Sequence, residues 1–390
     1  MPYFHNHVSS KLPDASTSIF AVMSKLAHEE GALNLAQGYP DFPTSSELIS
    51  LVDKAMKEDF NQYAPMPGVY SLREVISEKI ASMYGTVYHP ETEITVTAGA
   101  TQAIFTIITA FIKRNDEVII FTPAYDCYQP SIEINGGKTI EIQLKSPDFR
   151  IDWNQVKNSI TERTKMIIIN TPHNPTGTVL SKSDMTMLES LTKETDIIIL
   201  SDEVYEHLIY DGLEHQSIAR FPGLAERSFL VASFGKTFHN TGWKMGYCTG
   251  PAALMKEFRK IHQYNVFSVN HPVQKALSIY LNNSNNYLVL PEFFQKKRDL
   301  FLDAIKDSNF SFEPSSGTYF QLLRFDKISD EKDVLLAERW TRELKLASIP
   351  ISVFYGNKLD EKALRFCFAK SDETLLKGAE IINSIGREAI

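Results

Sequence analysis

"FLVASFGKTFHNTGWKMGY", residues 229–247, decides how the chain is read. A wholly apolar run, Phe229–Ala232, stops at small and polar residues, and a lone lysine, Lys236, follows. Three chemistries use a lysine in local sequence of this kind. With Gly235 and Thr237 it reads GKT, like a phosphate-gripping loop; with Ser233 it reads SxxK, like a serine acylase; it also suits a lysine that condenses with a bound aldehyde. The phosphate loop needs GxxxxGK[ST], and Leu230 holds the place of its first glycine. The acylase needs SDN and KTG, whereas SDM and SDE occur here and KTG does not. The third reading is left standing.

Other apolar runs lie upstream: "ITVT", "EVIIF", "MIII" and "IIIL". Continuous rather than alternating apolar character marks strands buried on both faces, as in a mostly parallel sheet. Ile104, Ile107, Ile108, Phe111 and Ile112 form a helical stripe, and "SKSDMTMLESLTKET" predicts a second helix. The alternation predicts an α/β fold whose ligand lies beyond the carboxyl ends of the strands. The segments that follow the runs are "AGATQ", "TPAYDCY", "NTPHNPTG", "SDEVYEH" and "SFGKT". All are rich in small, polar or aromatic residues, so they predict one convergent site that includes Lys236.

The 390 residues allow two domains or one large elaborated one. With 43% apolar and 23% charged residues the composition is globular, and a net charge of −8 without a long basic run argues against nucleic acid or an acidic membrane as partner. The longest strongly apolar stretch, "AIFTIITAFI", has 10 residues, short of the roughly 18–20 that span a bilayer. The start, "MPYFHNHVSSKLPD", shows no signal-peptide pattern, and its His5 and His7 are read as no metal site. Cys127, Cys248 and Cys367 form no CxxC pair, which excludes a cysteine zinc site and favours a cytoplasmic setting.

A pyridoxal phosphate site uses all five segments. Such a site needs an amine for the aldehyde, an acid for the ring nitrogen, donors for the phenolic oxygen, a stacking surface and a phosphate cradle. Lys236 supplies the amine and Asp202 the acid. Asn174 and Tyr205 reach the phenolic oxygen, and Tyr125 stacks on the ring. Small Ala98, Gly99 and Ala100 let a helix start approach the phosphate, with Ser233 and Lys244 beside it. Taken singly, each has a plainer reading: a solvated lysine, a charge pair of Asp202 with Glu203, a core tyrosine, a turn at Asn174-Pro175.

The chain resembles the class I aminotransferases, the fold-type-I pyridoxal phosphate enzymes, and most closely their methionine and kynurenine/glutamine transaminase branch. "NLAQGYPDFP", "QYAPMPGVYSLRE", "TVTAGATQA", "PAYDCY", "NTPHNPTG", "SDEVYEH", "SFGKTFHNTGWKMGY", "SGTYF" and "LRFCFAK" are similar to its blocks and in its order, over residues 19 to 380. The resemblance implies that Lys236 is the Schiff-base lysine and Asp202 the ring-nitrogen partner. It puts Gly99, Ala100, Thr101, Ser233 and Lys244 on the phosphate side. Lys244 stands where aspartate-type members carry arginine, a substitution common in this branch. Tyr63 would reach the phosphate of a neighbouring subunit, which implies a homodimer with shared sites. Arg365 would grip the substrate carboxylate, with Asn174 and the Gly38 backbone, since a guanidinium fork suits a carboxylate.

The resemblance puts Phe20, Tyr39 and Phe267, the last contributed across subunits, at pocket positions that favour methionine or aromatic donors over acidic ones, with a 2-oxo acid as acceptor. A carbon–sulfur β-lyase would use the same residues. A non-catalytic coenzyme-binding regulator would need a fused DNA-binding domain, for which the sequence before the first block leaves no room. The resemblance also implies a large domain over residues 46–286 and a smaller α+β domain formed by 1–45 with 287–390, the polar "NNSNN" at 282–286 marking the break.

Overall fold

The computed structural model describes residues 2–3, 8–13, 15 and 17–386; His5 and His7 lie outside the described residues. Its centre is a seven-stranded sheet of β1 (Ile94–Thr97), β2 (Glu117–Thr122), β3 (Lys138–Gln143), β4 (Thr164–Asn170), β5 (Ile198–Asp202), β6 (Ser228–Ser233) and β7 (Gly246–Thr249). The strands lie in the order β1-β7-β6-β5-β4-β2-β3, and all run parallel except β7, which pairs antiparallel with β1 and β6. The five apolar runs are five of these strands.

Successive residues of the runs feed two separate cores. Val118, Ile120, Met166 and Ile168 pack with Ile104, Ile107 and Ile108 on one face, while Ile119, Phe121, Ile167 and Ile169 face a larger core on the other. Burial on both sides favours apolar side chains at most positions, which is why these strands read as near-continuous hydrophobic runs. β3, at the sheet edge, mixes exposed Lys138 and Glu141 with half-buried residues and a buried Ile142, and offers no such run.

The predicted helices form at Ala100–Phe111 and Lys182–Thr192, the latter opened by a capping box between Ser181 and Asp184. At the "NNSNN" break two helices follow one another, Asn285–Leu288 and Leu290–Ile305, with Pro291 in the first turn of the second. Proline lacks an amide hydrogen and is tolerated at a helix start, where that donor would be unused.

A second sheet, antiparallel, joins β8 (Phe320–Arg324), β9 (Ile349–Pro350) and β10 (Ala363–Cys367) in the order β9-β10-β8. Leu33–Asn34 pairs in parallel with Leu346–Ala347, tying the amino-terminal segment to the carboxyl-terminal part. Among the described residues, no helix is long and apolar enough to cross a membrane.

Candidate active site

The carboxyl ends of β1, β2, β4, β5 and β6 open on one cavity of about 290 Å³. β7 runs the other way, so the residues before it, Lys244 and Met245, arrive at the same edge. The second sheet adds Phe320 and Arg365, and the amino-terminal segment adds Phe20, Gln37 and Gly38. Thirteen of the residues singled out in the sequence line this cavity, Lys236, Asp202 and Arg365 among them. Tyr39, Tyr63 and Phe267 do not. Tyr63 is 80% exposed and meets the half-exposed Phe267 edge to face, with ring centroids 5.2 Å apart. Tyr39 is also on the surface, its carbonyl accepting from Lys370 Nζ at 2.8 Å.

Lys236 follows β6 in a single helical turn that Ser233 caps, its Oγ accepting from the Lys236 amide at 3.3 Å. Lys236 Nζ donates to the Gly38 carbonyl at 2.9 Å and lies 5.6 Å and 5.8 Å from the ring centres of Tyr319 and Tyr205. Lys236 is half-buried in the wall of the cavity. That burial, with Arg365 and Lys244 adding to it against Cys367 and Asp202, lowers its pKa to about 8.

Asp202 ends β5 at 3% exposure, so it is no surface charge pair. Burial raises its pKa to about 6, against the hydrogen bond from Tyr128 Oη, which reaches Oδ2 at 2.6 Å. Its neighbour Glu203 is structural: fully buried, it accepts from Ser201 Oγ and from the Ile218 amide, each at 2.8 Å.

Arg365 sits on β10 and is 1% exposed. Its guanidinium lies 3.8 Å from the ring centre of Phe320, with Phe20 at 5.2 Å. Nη1 donates to Asn174 Oδ1 at 2.6 Å and Nη2 to the Ala36 carbonyl at 3.2 Å, while Nε is buried without a partner. Burial brings its pKa down to about 10, so it stays a cation at neutral pH. A buried cation with an unpaired N–H calls for an anion.

Gly99 closes the turn after β1 with φ of 81°, and its peptide leads into the helix Ala100–Phe111. The free amides of that helix start, with Ser233 and Lys244 nearby, could take an anionic group. Tyr125 lines the same side, its hydroxyl 3.4 Å from Thr101 Oγ1. Sequence reasoning gave no role to Tyr128, Asn170 or Tyr319. Asn170 Oδ1 holds the Asn174 amide at 2.8 Å, and Tyr319 Oη donates to the Gly38 carbonyl at 2.5 Å. All three lie in segments already quoted, "PAYDCY", "NTPHNPTG" and "SGTYF", but they act on other site residues, and no local pattern reveals that.

This fold and this constellation define an aminotransferase. The family model "Aminotransferase class I and II" matches residues 30–382, and the chain belongs to that family. Methionine aminotransferase of Escherichia coli (strain K12) is 43% identical over 377 residues, covering 96% of this chain and 98% of that one. Kynurenine–oxoglutarate transaminase 1 of Homo sapiens is 32% identical over 386 residues, covering 90% and 92%. A crystal structure of an Escherichia coli protein with a methionine aminotransferase function superposes with a TM-score of 0.95 at 43% identity, over 97% of this chain and 99% of that one.

Proposed function

We propose that this aminotransferase uses pyridoxal phosphate and moves the amino group of methionine or of large apolar and aromatic amino acids, kynurenine and glutamine included, to a 2-oxo acid. One observation carries the reading: an amine, a carboxylate and a carboxylate-seeking guanidinium, Lys236, Asp202 and Arg365, share one cavity. The residues present fit the coenzyme. Gly99, Ala100, Thr101, Ser233 and Lys244 would hold its phosphate, Tyr125 would cover the ring, Asn174 and Tyr205 would meet the phenolic oxygen, and Asp202 would hold the ring nitrogen as a cation. Bound there, the coenzyme supplies an aldehyde that takes up the amino group and a ring that draws electrons from the substrate's α-carbon.

The chain's own side chains do the rest. Arg365 and Asn174 orient the α-carboxylate, the unpaired Nε offering the third guanidinium donor. Lys236 Nζ, a free amine in a useful fraction of molecules at neutral pH, takes the α-proton and returns it. Among the described residues lining the cavity Arg365 is the one arginine, so no second guanidinium waits for a side-chain carboxylate. Phe20 and Phe320 offer apolar surface instead, which favours donors without a distal charge.

Tyr63, and Phe267 beside it, reach a second copy of the chain, completing the partner's site in a homodimer. Residues 46–286 form the coenzyme domain. Residues 1–45 with 287–390 form the smaller one, which brings Arg365 toward Lys236 when it closes.

A donor-by-acceptor activity grid tests the reading, with Lys236→Ala as control. Methionine, phenylalanine and kynurenine should lead; aspartate and glutamate far ahead of them would overturn the substrate class. Pyruvate release from a cysteine conjugate without added 2-oxo acid would reveal β-lyase chemistry.

A further inference from the structure

The carboxylate of Asp202 has two donors among the described residues. Tyr128 Oη reaches Oδ2 at 2.6 Å, and the Val204 amide reaches Oδ1 at a long 3.4 Å. Tyr128 opens the helix Tyr128–Ile134 and is 3% exposed, with its ring set edge to face against Tyr125 at 5.8 Å. Burial and the neighbouring Asp202 charge push its phenol well above the usual tyrosine range, so it remains a donor.

We propose that Tyr128 is the positioning residue of the Asp202 carboxylate: its hydroxyl pins Oδ2, keeps the group ionised, and leaves Oδ1 to take the proton-bearing nitrogen of the coenzyme ring. This rests on the coenzyme reading above. A carboxylate at a buried strand end loses its hydration, and it stays charged only if protein donors replace that water. The groups around Asp202 divide. Lys236, from the turn after β6, favours its charge and adjacent Glu203 opposes it. Tyr125 and Cys127, on the same segment as Tyr128, are neutral at working pH because burial raises both. Lys244 enters from before β7 and lines the same cavity. Tyr128 is the one side chain that donates to the carboxylate directly.

The test is coenzyme affinity as a function of pH, measured by pyridoxal phosphate titration of apoprotein, with the absorbance of the bound coenzyme as a second readout. Asp202 must be ionised to hold a ring cation, so affinity falls as pH drops through its pKa. Tyr128→Phe should move that midpoint up by about one unit or more, roughly a tenfold loss of carboxylate at a given pH. Tyr84→Phe is the matched control, since it deletes an equally buried hydroxyl bonded to Glu206 at 2.6 Å and should leave the midpoint in place. Where Tyr128→Phe alone does not fold, the change is made in an Asp202→Asn background; there it should alter coenzyme affinity less than about twofold, because the charge it serves is gone. An unmoved midpoint in Tyr128→Phe, or a full loss in the Asp202→Asn background, would overturn the proposal. Failure of the unmodified protein to take up pyridoxal phosphate would overturn the coenzyme reading itself, and this proposal with it.

Discussion

Lys236, half-buried, and Arg365, fully buried, are cations lining one cavity, and each tells something different about how sequence encodes a site. Lys236 was legible because it follows an apolar run in a pattern that only one of three chemistries satisfies. Arg365 was not legible from its strand, since an arginine alternating with Leu364 and Phe366 reads as solvent-facing. Its burial depends on Phe20 and Phe320, which come from distant sequence. Replacing Lys236 by Ala should lower kcat by roughly a thousandfold or more, the scale of general acid–base catalysis, with the fold retained by circular dichroism. Arg365→Lys keeps a charge but loses the fork. The lost charge-assisted bonds should cut kcat/KM for amino donors roughly 10- to 100-fold.

The pH behaviour of Lys236 follows from burial. A lowered pKa favours the neutral amine, so acylation of Lys236 in the apoprotein, followed by peptide mass spectrometry, should be half-maximal near pH 8 rather than above 10. The sign for stability is the same: the contribution of a neutral Lys236 is present above its unfolded pKa and is lost as pH falls through about 8.

At the scale of elements, the strands buried on both faces announced themselves and the other two did not. β3, an edge strand, carries exposed Lys138 and Glu141 among its apolar residues, and β7 is four residues long and begins with a glycine. That glycine, Gly246, is required by packing: a Cβ there would come within 2.6 Å of the Ala232 carbonyl and 3.1 Å of the Ala100 amide. The sequence reading placed Lys244 beside the phosphate without locating β7; the antiparallel direction of that strand supplies the physical reason. Gly99 is required by backbone conformation instead, since its φ of 81° disfavours any side chain although a Cβ would meet nothing closer than 3.7 Å. Gly99→Ala should therefore cost about 1–3 kcal/mol, seen as a lower unfolding midpoint in denaturant, with weaker coenzyme binding because the helix start shifts.

Over the whole molecule, an α/β sheet with its ligand edge was readable from the order of apolar runs and the segments after them. The second sheet's part in the site was not, because it depends on pairing between segments far apart in the chain. Tyr63 and Phe267 are an exposed aromatic pair that the single chain leaves without a cavity to line. In the proposed dimer Tyr63→Phe should weaken coenzyme binding roughly tenfold while sedimentation still reports twice the mass of one chain. A monomer at micromolar concentration with full activity would remove the shared-site reading.

The central claim is that Lys236 is the amine that meets the coenzyme's aldehyde. Its most direct measurement is borohydride reduction of protein loaded with pyridoxal phosphate, followed by peptide mapping. One pyridoxyl group per chain, on Lys236, should appear in step with loss of activity. An unmodified Lys236, with label scattered over surface lysines and activity intact, would contradict it.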